Sequence, residues 1–441
     1  MTTNRHPHQE AKFSGMEAIR NAQTAILREH LQYVKQHSPA YQKILANPNL
    51  DFNIDSMELE QLSLLPFTEK KDIEANPASF LAVAPDQVAD IVLSSGTTGK
   101  PMQIFYTDKD LARLAYNEQQ SFAACGIQRG DIALLTCTMD RCFVAGLAYF
   151  LGMRALGATV IRNGHGMIES HAGMIRSLHP TVIVGVPSFL KKLGPAILKA
   201  GQNPAKSSVN KIICIGEPVR NRNFELLGIG KELEEIWDAK VFSTYATSET
   251  VTTFCECSAQ RGGHLLPELA ILEIVDERGR ALPSGETGEI VVTPMGVEGM
   301  PLIRYKTGDI GFLEETPCAC GRFSSRLGPI LGRKNQLIKV KGTSLYPQAV
   351  FAVLEDFRAV SNYYIEVLSE GELSDRLRVH VALQDLLVTR EMLEEELVVK
   401  LRVKPEIIIE KEEVIKQKVF APQSRKPVRF FDRRKEYASL S

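Results

Sequence analysis

Cysteine is scarce in this 441-residue chain, with eight residues, and there is one tryptophan. A disulfide framework needs a denser set, so a reducing, cytoplasmic setting is the expectation. An excess of one charge is also missing: 52 Lys and Arg stand against 53 Asp and Glu, for a net charge of −1. That balance gives no electrostatic footprint for nucleic acid or for an acidic lipid surface. No apolar run reaches the roughly 18 to 20 residues that a membrane helix needs. The opening residues, MTTNRHPHQEAKF, have no apolar centre of the kind a signal peptide carries. Internal repeats and low-complexity segments are absent too. The aromatic fraction of 7% argues, weakly, against a carbohydrate-binding surface.

What is present fits a globular enzyme. Hydrophobic residues make up 44% and charged residues 24%. The length exceeds one small core and implies two or three domains. Residues 16–36 space their apolar positions as a helix does. Thr68 followed by Glu-Lys-Lys reads as a helix N-cap. From 107 to 260, helical stretches at 108–125 and 143–157 alternate with short apolar runs at 132–136, 159–161, 182–186, 211–215 and 240–244. Such alternation predicts βαβ units and a mainly parallel sheet flanked by helices. After about residue 265 the run LAILEIVDERGRALPSGETGEIVVTP reads as two alternating strands joined by a Gly/Pro/Ser turn, hence antiparallel β. GRKN at 332–335 breaks the pattern. The expected organisation is a large N-terminal α/β domain, 1–332, with a β-rich part at about 265–330, and a small mobile C-terminal α+β domain, 333–441.

The stretch IVLSSGTTGKPMQIFYT, 91–107, resembles a phosphate-binding loop. It is not a Walker loop: Ser94 stands where that motif needs glycine, and Pro101 follows Lys100 where Ser or Thr would hold magnesium. It nonetheless has the parts an anion nest needs. Ser94, Ser95, Thr97 and Thr98 offer hydroxyls, Gly96 and Gly99 permit tight turns, and Lys100 adds charge. An ordinary Ser/Thr/Gly turn between strands is the competing reading. Four further segments bear on the choice. STYATSET (243–250) puts Thr247, Ser248 and Glu249 after a strand, where α/β sheets bind ligands. RYKTGDIG (304–311) sets Asp309 in a Gly-flanked turn, LGRKNQLIKVKG (331–342) lies at the inferred domain boundary, and PQSRKPVRFFDRR (422–434) carries Lys426.

In that order, these motifs, with GEP at 216–218 and MPLIRYKTGDI at 300–310, resemble the adenylate-forming enzymes of the acyl/aryl-CoA synthetase superfamily. Within it, the chain is similar to the phenylacetate–CoA ligase branch from about residue 30 to the end. The resemblance implies a two-step reaction. A carboxylate attacks the α-phosphate of ATP to give an acyl-adenylate and pyrophosphate. The small domain rotates, and the thiol of coenzyme A attacks the adenylate. It implies that the loop 94–100 cradles phosphates and that Lys426, three residues before Arg429, supplies positive charge where negative charge builds up. Glu249 would serve the Mg²⁺ that neutralises the phosphates, and Asp309 would accept the ribose hydroxyls. Arg333 would contact the nucleotide side of the hinge. Gly216, Glu217 and Pro218 would border the adenine, and Tyr245 would stack near it. Phe143 would line the acid pocket or serve as plain helix core. A homodimer is a family-level expectation. The pattern departs at Ala246 and Arg425, where the family usually has glycine, at Pro427, and at Asn335 in the hinge.

CECSAQRGGH (255–264) and CAC (318–320) offer soft ligands. Cys318 and Cys320 before Gly321 form a knuckle, and Cys257 with His264 could complete a closed Cys3His zinc site of structural type, with Cys255 in reserve. Unconnected thiols and a stray histidine are the alternative. His165 and His171 read as polar loop or helix-surface residues. The expected substrates are therefore ATP, a small aryl or arylacetic carboxylic acid and coenzyme A, with no nucleic acid or membrane partner. Another acceptor (a carrier-protein thiol or a deazaflavin cofactor) and a silent nucleotide-binding paralogue are the other readings.

Overall fold

The computed structural model describes residues 9–48, 50, 52–94, 102–164, 166–369, 374–385, 387–420 and 427–434. The chain divides into two compact units. The first comprises Met1–Leu226, Gly230–Thr307 and Gly311–Ile330; the second comprises Leu227–Ile229, Gly308–Ile310 and Leu331–Ser441.

In the first unit the expected alternation becomes a parallel sheet. A hairpin of β1 (Asp90–Leu93) and β2 (Gln103–Tyr106) precedes it. β3 (Ile132–Leu135), β4 (Thr159–Arg162), β5 (Val182–Gly185), β6 (Lys211–Ile215) and β7 (Lys240–Thr247) follow, each pair of neighbours parallel in the order 7-6-5-3-4. The central strands β3, β5 and β6 are largely buried runs of Ile, Val and Leu, as strands covered on both faces are, whereas the edge strand β4 is only partly covered. Beyond β7 the sheet turns antiparallel through β8 (Thr252–Glu256) and β9 (Gly263–His264), then through two short strands at 326–327 and 313–314. The helix Asp108–Ala124 starts at Thr107, whose hydroxyl accepts from the Asp110 amide while the Asp110 carboxylate accepts from the Thr107 amide. The helix Val144–Leu156 ends on Gly157 at φ 89°, a left-handed C-cap.

The alternating run after residue 265 forms β10 (Ala270–Val275) and β11 (Gly288–Pro294), antiparallel in register from Ala270–Pro294 to Val275–Glu289. Thr68, expected as a helix cap, does not cap. The helix is Lys70–Ala75, with a Glu69–Asp72 capping box. Thr68 is buried instead, and its hydroxyl donates to the Ile303 carbonyl and pairs with the Tyr41 hydroxyl. Tertiary partners outcompeted the local cap. His171 is likewise buried, with Nδ1 3.0 Å from Asn163 Nδ2 and its ring edge-on to Phe189 at 5.2 Å. It is therefore not a surface residue. His165 lies outside the described residues.

The second unit is α+β. Its main sheet has four strands in the order Glu406–Ile409, Asp375–Leu383, Val360–Ser369, Phe430–Asp432, with an antiparallel central pair and parallel outer pairs; a short hairpin, Ile338–Val340 with Thr343–Leu345, precedes it in sequence. Strand period 2 sorts the faces. Tyr363, Ile365 and Val367 share a core with Val350, Leu354, Leu393 and Leu397 of two helices, whereas Tyr364 packs with Ile415 and Val419 of the helix Glu412–Val419.

Candidate active site

The C-terminal edge of the parallel sheet gathers most of the predicted nucleotide residues that are described. Gly216 follows β6 directly with φ 74°, a conformation that favours glycine. Glu217 then turns onto the first turn of the helix Pro187–Lys199. Its Oε2 accepts from the Ser188 amide at 2.9 Å and its Oε1 from the Ser188 hydroxyl at 2.8 Å. A carboxylate at a helix N-terminus is favourably placed, so Glu217 fixes the backbone of the GEP loop. Pro218 follows, half-buried. Tyr245 lies in β7 and stacks on Phe254 with ring centroids 6.1 Å apart. Ala246, next to it, is exposed.

Glu249 sits in a tight connection. β7 ends at Thr247, which pairs with Thr252 at the start of β8, so Ser248 to Val251 form a hairpin loop. The Thr247 and Thr250 hydroxyls are 2.8 Å apart, and the Val251 amide donates to the Ser248 carbonyl at 3.4 Å. Val251 has φ 49°. For a β-branched residue that left-handed conformation costs about 1–2 kcal/mol.

The base of the predicted phosphate loop abuts this turn. Tyr106, the last residue of β2, donates its hydroxyl to the Ser248 carbonyl at 2.6 Å. Ser94 closes the described part of the hairpin, its amide donating to Met102 O at 3.0 Å. The Leu93 amide donates to the carbonyl of Cys142, beside Phe143. Phe143 is half-buried and stands immediately before the helix Val144–Leu156, at its N-cap position, without a side-chain cap bond. Ser95, Gly96, Thr97, Thr98, Gly99 and Lys100 lie outside the described residues, as do Arg425 and Lys426.

In the second unit, Asp309 is not in a turn. It lies in the strand Tyr305–Gly311, opposite Arg333, and the left-handed Gly308 at φ 75° precedes it. Arg333 Nε stands 3.2 Å from the Asp309 carboxylate. Asp309 is nearly buried while Arg333 is half-exposed. Arg429 is an anchor: it donates to Asn362 Oδ1 and the Tyr363 carbonyl and covers the Tyr363 ring at 4.2 Å.

A second centre brings four expected ligands together. The ligand atoms of Cys257, His264, Cys318 and Cys320 all lie within 4.8 Å of one another. Cys257 and Cys318 sulfurs are 3.6 Å apart, and Cys320 Sγ is 3.3 Å from His264 Nε2. A tetrahedral zinc with bonds of about 2.3 Å to sulfur and 2.0 Å to nitrogen needs spacings of roughly 3.5 to 3.8 Å; the Cys257–Cys318 and Cys320–His264 pairs stand close to that, and three thiols with an imidazole are the donor chemistry zinc takes. His264 Nδ1 is 3.2 Å from Ser324 Oγ, which fixes the ring's orientation. Burial, with Arg322 and Arg326 nearby, lowers the His264 pKa to about 3 and keeps it neutral, the form that ligates. Cys255 is not in reserve. Its sulfur meets Cys125 Sγ at 3.4 Å and Thr244 Oγ1 at 3.1 Å.

The sequence reading missed the polar stripe of the helix Asp108–Ala124. Asp110 accepts from the amides of Glu298 and Gly299 at 2.7 and 2.8 Å. Asn117 exchanges two bonds of 3.0 Å with the Thr253 backbone. Arg113 reaches four acceptors between them. Polar residues at 110, 113, 117 and 121 share one helix face. That spacing was the available signal, but it is also the signal of a solvated face.

The AMP-binding enzyme family matches residues 21–298. The chain is 34% identical over 373 residues to the phenylacetate-coenzyme A ligase of Thermus thermophilus, across 83% of this chain and 82% of that protein. It is 28% identical over 381 residues to the ligase of the same name from Pseudomonas putida, across 84% and 83% respectively. Among solved structures, a 2-hydroxyisobutyryl-CoA ligase in its postadenylation state superposes with a TM-score of 0.86 at 18% identity, over 100% of this chain and 95% of that one. At that identity the likeness speaks to the fold.

Proposed function

This chain belongs to the AMP-binding enzyme family, in its phenylacetate–CoA ligase branch, and we propose that it activates a carboxylic acid with ATP and passes the acyl group to coenzyme A. The carrying observation is the 34% identity that spans most of both chains. An aryl or arylacetic acid is the substrate class we assign, because the relatives are named for one.

The acid's carboxylate attacks the α-phosphorus of ATP, and pyrophosphate leaves. The thiol of coenzyme A then adds to the acyl carbon, and AMP leaves with the carboxylate oxygen. In our reading residues 94–100 hold the phosphates through hydroxyls and turn amides. Glu249 would hold the magnesium that accompanies the phosphates, a cation whose charge would offset their repulsion of the incoming carboxylate. Glu217, clamped to Ser188, sets the backbone beside the base, and Tyr245 offers a face for it. Asp309 accepts from the ribose hydroxyls and Lys426 stabilises the developing charge on the α-phosphate. The residues 1–332 form the nucleotide- and acid-binding domain and 333–441 the small domain. Cys257, His264, Cys318 and Cys320 hold a structural zinc; four protein ligands leave no open position for chemistry. A cytoplasmic homodimer is the expected assembly, and a monomer mass by sedimentation equilibrium would remove the dimer.

The test is pyrophosphate release with ATP, magnesium and a panel of aryl and aliphatic acids, with and without coenzyme A, beside Lys426→Ala. Release that requires one acid, increases with coenzyme A and collapses in the variant supports the ligase. Release without a coenzyme A product points to another acceptor. ATP binding with no release for any acid refutes the reading.

A further inference from the structure

Four features converge on the turn that presents Glu249. Val251 is left-handed although β-branched, and it is 1% exposed. Its side chain belongs to the main core of the first unit, which explains why glycine, the residue the backbone prefers here, is not present. Its carbonyl is held by Arg113, 8% exposed, which donates NH1 to Val251 O. The same guanidinium donates Nε to Met295 O at 2.8 Å and NH2 to Leu269 O at 2.5 Å and Thr252 Oγ1 at 3.3 Å. Only the planar five-donor fork of arginine can span three backbone carbonyls and a hydroxyl from one side chain. Thr252 Oγ1 donates in turn to the Thr250 carbonyl at 2.7 Å, so the grip extends to the residue beside Glu249. From the other side Tyr106 holds the Ser248 carbonyl at 2.6 Å. The strained turn is therefore clamped at both ends, and Glu249 lies between the clamps.

We propose that Arg113 is a positioning residue for nucleotide activation, which sets the direction of Glu249 by locking Val251 in its left-handed conformation. Arg113 touches neither nucleotide nor acid in this role; it acts through the turn. Strain stored beside a functional side chain persists only where the surroundings over-determine it, and Arg113 with the core around the Val251 side chain provides that. The inference rests on the reading of Glu249 as the magnesium-side carboxylate.

The experiment measures ATP binding by calorimetry across a magnesium series, which requires no knowledge of the acid, in wild type, Arg113→Lys, Val251→Gly, the double variant and Glu249→Gln. Outer residues that orient a metal-side ligand are worth about 10- to 100-fold in affinity. Arg113→Lys is expected to raise the magnesium concentration for half-maximal ATP binding about tenfold, while ATP binding without magnesium stays as in wild type. Glycine adopts positive φ without strain, so in the Val251→Gly background the same Arg113→Lys change should cost less than about threefold. A lowered melting temperature with an unchanged magnesium requirement makes Arg113 a structural tie only and overturns the proposal. An equal penalty in both backgrounds overturns it too, since the strain would then play no part. Should Arg113→Lys fail to fold, Thr252→Val removes one acceptor of the fork at constant shape. It must shift the magnesium requirement in the same direction, and no shift counts against the clamp. If Glu249→Gln leaves the magnesium requirement unchanged, the reading of Glu249 fails first and the inference falls with it. A shift in Glu249→Gln with none in Arg113→Lys refutes the inference alone.

Discussion

Glu118→Gln is expected to free the first unit from a loss of stability that wild type suffers as pH rises. Glu118 is 1% exposed on the helix Asp108–Ala124. Gly152 lets the neighbouring helix close over it; a Cβ there would stand 2.2 Å from the Glu118 Cβ. The titratable groups whose shifts respond to it, Cys137 and Tyr149, are both driven further toward their neutral forms. The Thr253 hydroxyl donates to Oε1, and Oε2 has no hydrogen-bond partner. Burial outweighs the Thr253 bond and raises the pKa from 4.5 to about 8. A raised pKa means the contribution is complete below 4.5 and is lost as pH rises through 8, because the folded state binds one proton more. At 1.36 kcal/mol per unit, the loss reaches about 3 kcal/mol by neutral pH. Glutamine is neutral throughout. Its amide nitrogen meets the unpartnered side, at a constant cost of about 1–3 kcal/mol, which offsets the curve without tilting it. Guanidinium melts followed by the fluorescence of Trp237, the one tryptophan and fully buried, give stability against pH. The variant-minus-wild-type difference should rise by about 3 kcal/mol from roughly pH 4.5 to 7. Parallel curves would refute the reasoning and show that Glu118 is ionised or hydrated in the folded chain.

Purified protein should hold one zinc per chain, and Cys320→Ser should lose it and melt at lower temperature while adenylation at low temperature persists; elemental analysis without zinc would contradict the site. His30 titrates in the opposite sense to Glu118. Burial lowers its pKa from 6.5 to about 4, so the folded state prefers neutral imidazole and stability falls as pH drops from 6.5 toward 4, by up to about 3 kcal/mol. His30→Gln should flatten the acid limb of the melt profile, and an unchanged limb would assign acid unfolding elsewhere. Glu217→Gln weakens the grip on Ser188, a charge-assisted bond pair worth about 1.5–3 kcal/mol per bond. KM for ATP should rise roughly tenfold with the acid's KM unchanged; equal rises in both would mean the GEP loop serves the whole pocket.

The central parallel strands were legible because strands covered on both faces are written as short Ile/Val/Leu runs, and helices between them keep a 3.6-residue rhythm. The hairpin Ala270–Val275 with Gly288–Pro294 was legible from alternation and turn residues. The clustering of Cys257, His264, Cys318 and Cys320 was legible because Cys and His are rare enough for their spacing to mean something. Three features were not legible. Thr68 has the sequence of a cap, yet Tyr41, 27 residues away, takes its hydroxyl. His171 reads as surface until Phe189 and Asn163 are folded around it. Arg113 reads as a solvated charge until the carbonyls of Val251, Leu269 and Met295 converge on it. Tyr41 and the three carbonyls are distant in sequence, and even Asn163, eight residues before His171, meets it only once the strand before Asn163 and the helix carrying His171 have folded. Asp309 reads as a turn residue because glycines flank it, but one left-handed glycine within a strand produces the same sequence.

The central claim is that the carboxylate is activated as an acyl-adenylate before thiol transfer. The most direct test uses the acid that supports pyrophosphate release, labelled with ¹⁸O in both carboxylate oxygens, with ATP, magnesium and coenzyme A, followed by mass spectrometry of the nucleotide products. Attack on the α-phosphorus and later cleavage of the acyl carbon–oxygen bond predict one ¹⁸O in each AMP formed, matched by one acyl-CoA. ADP as the product with label in phosphate, or unlabelled AMP beside the thioester, would contradict the account.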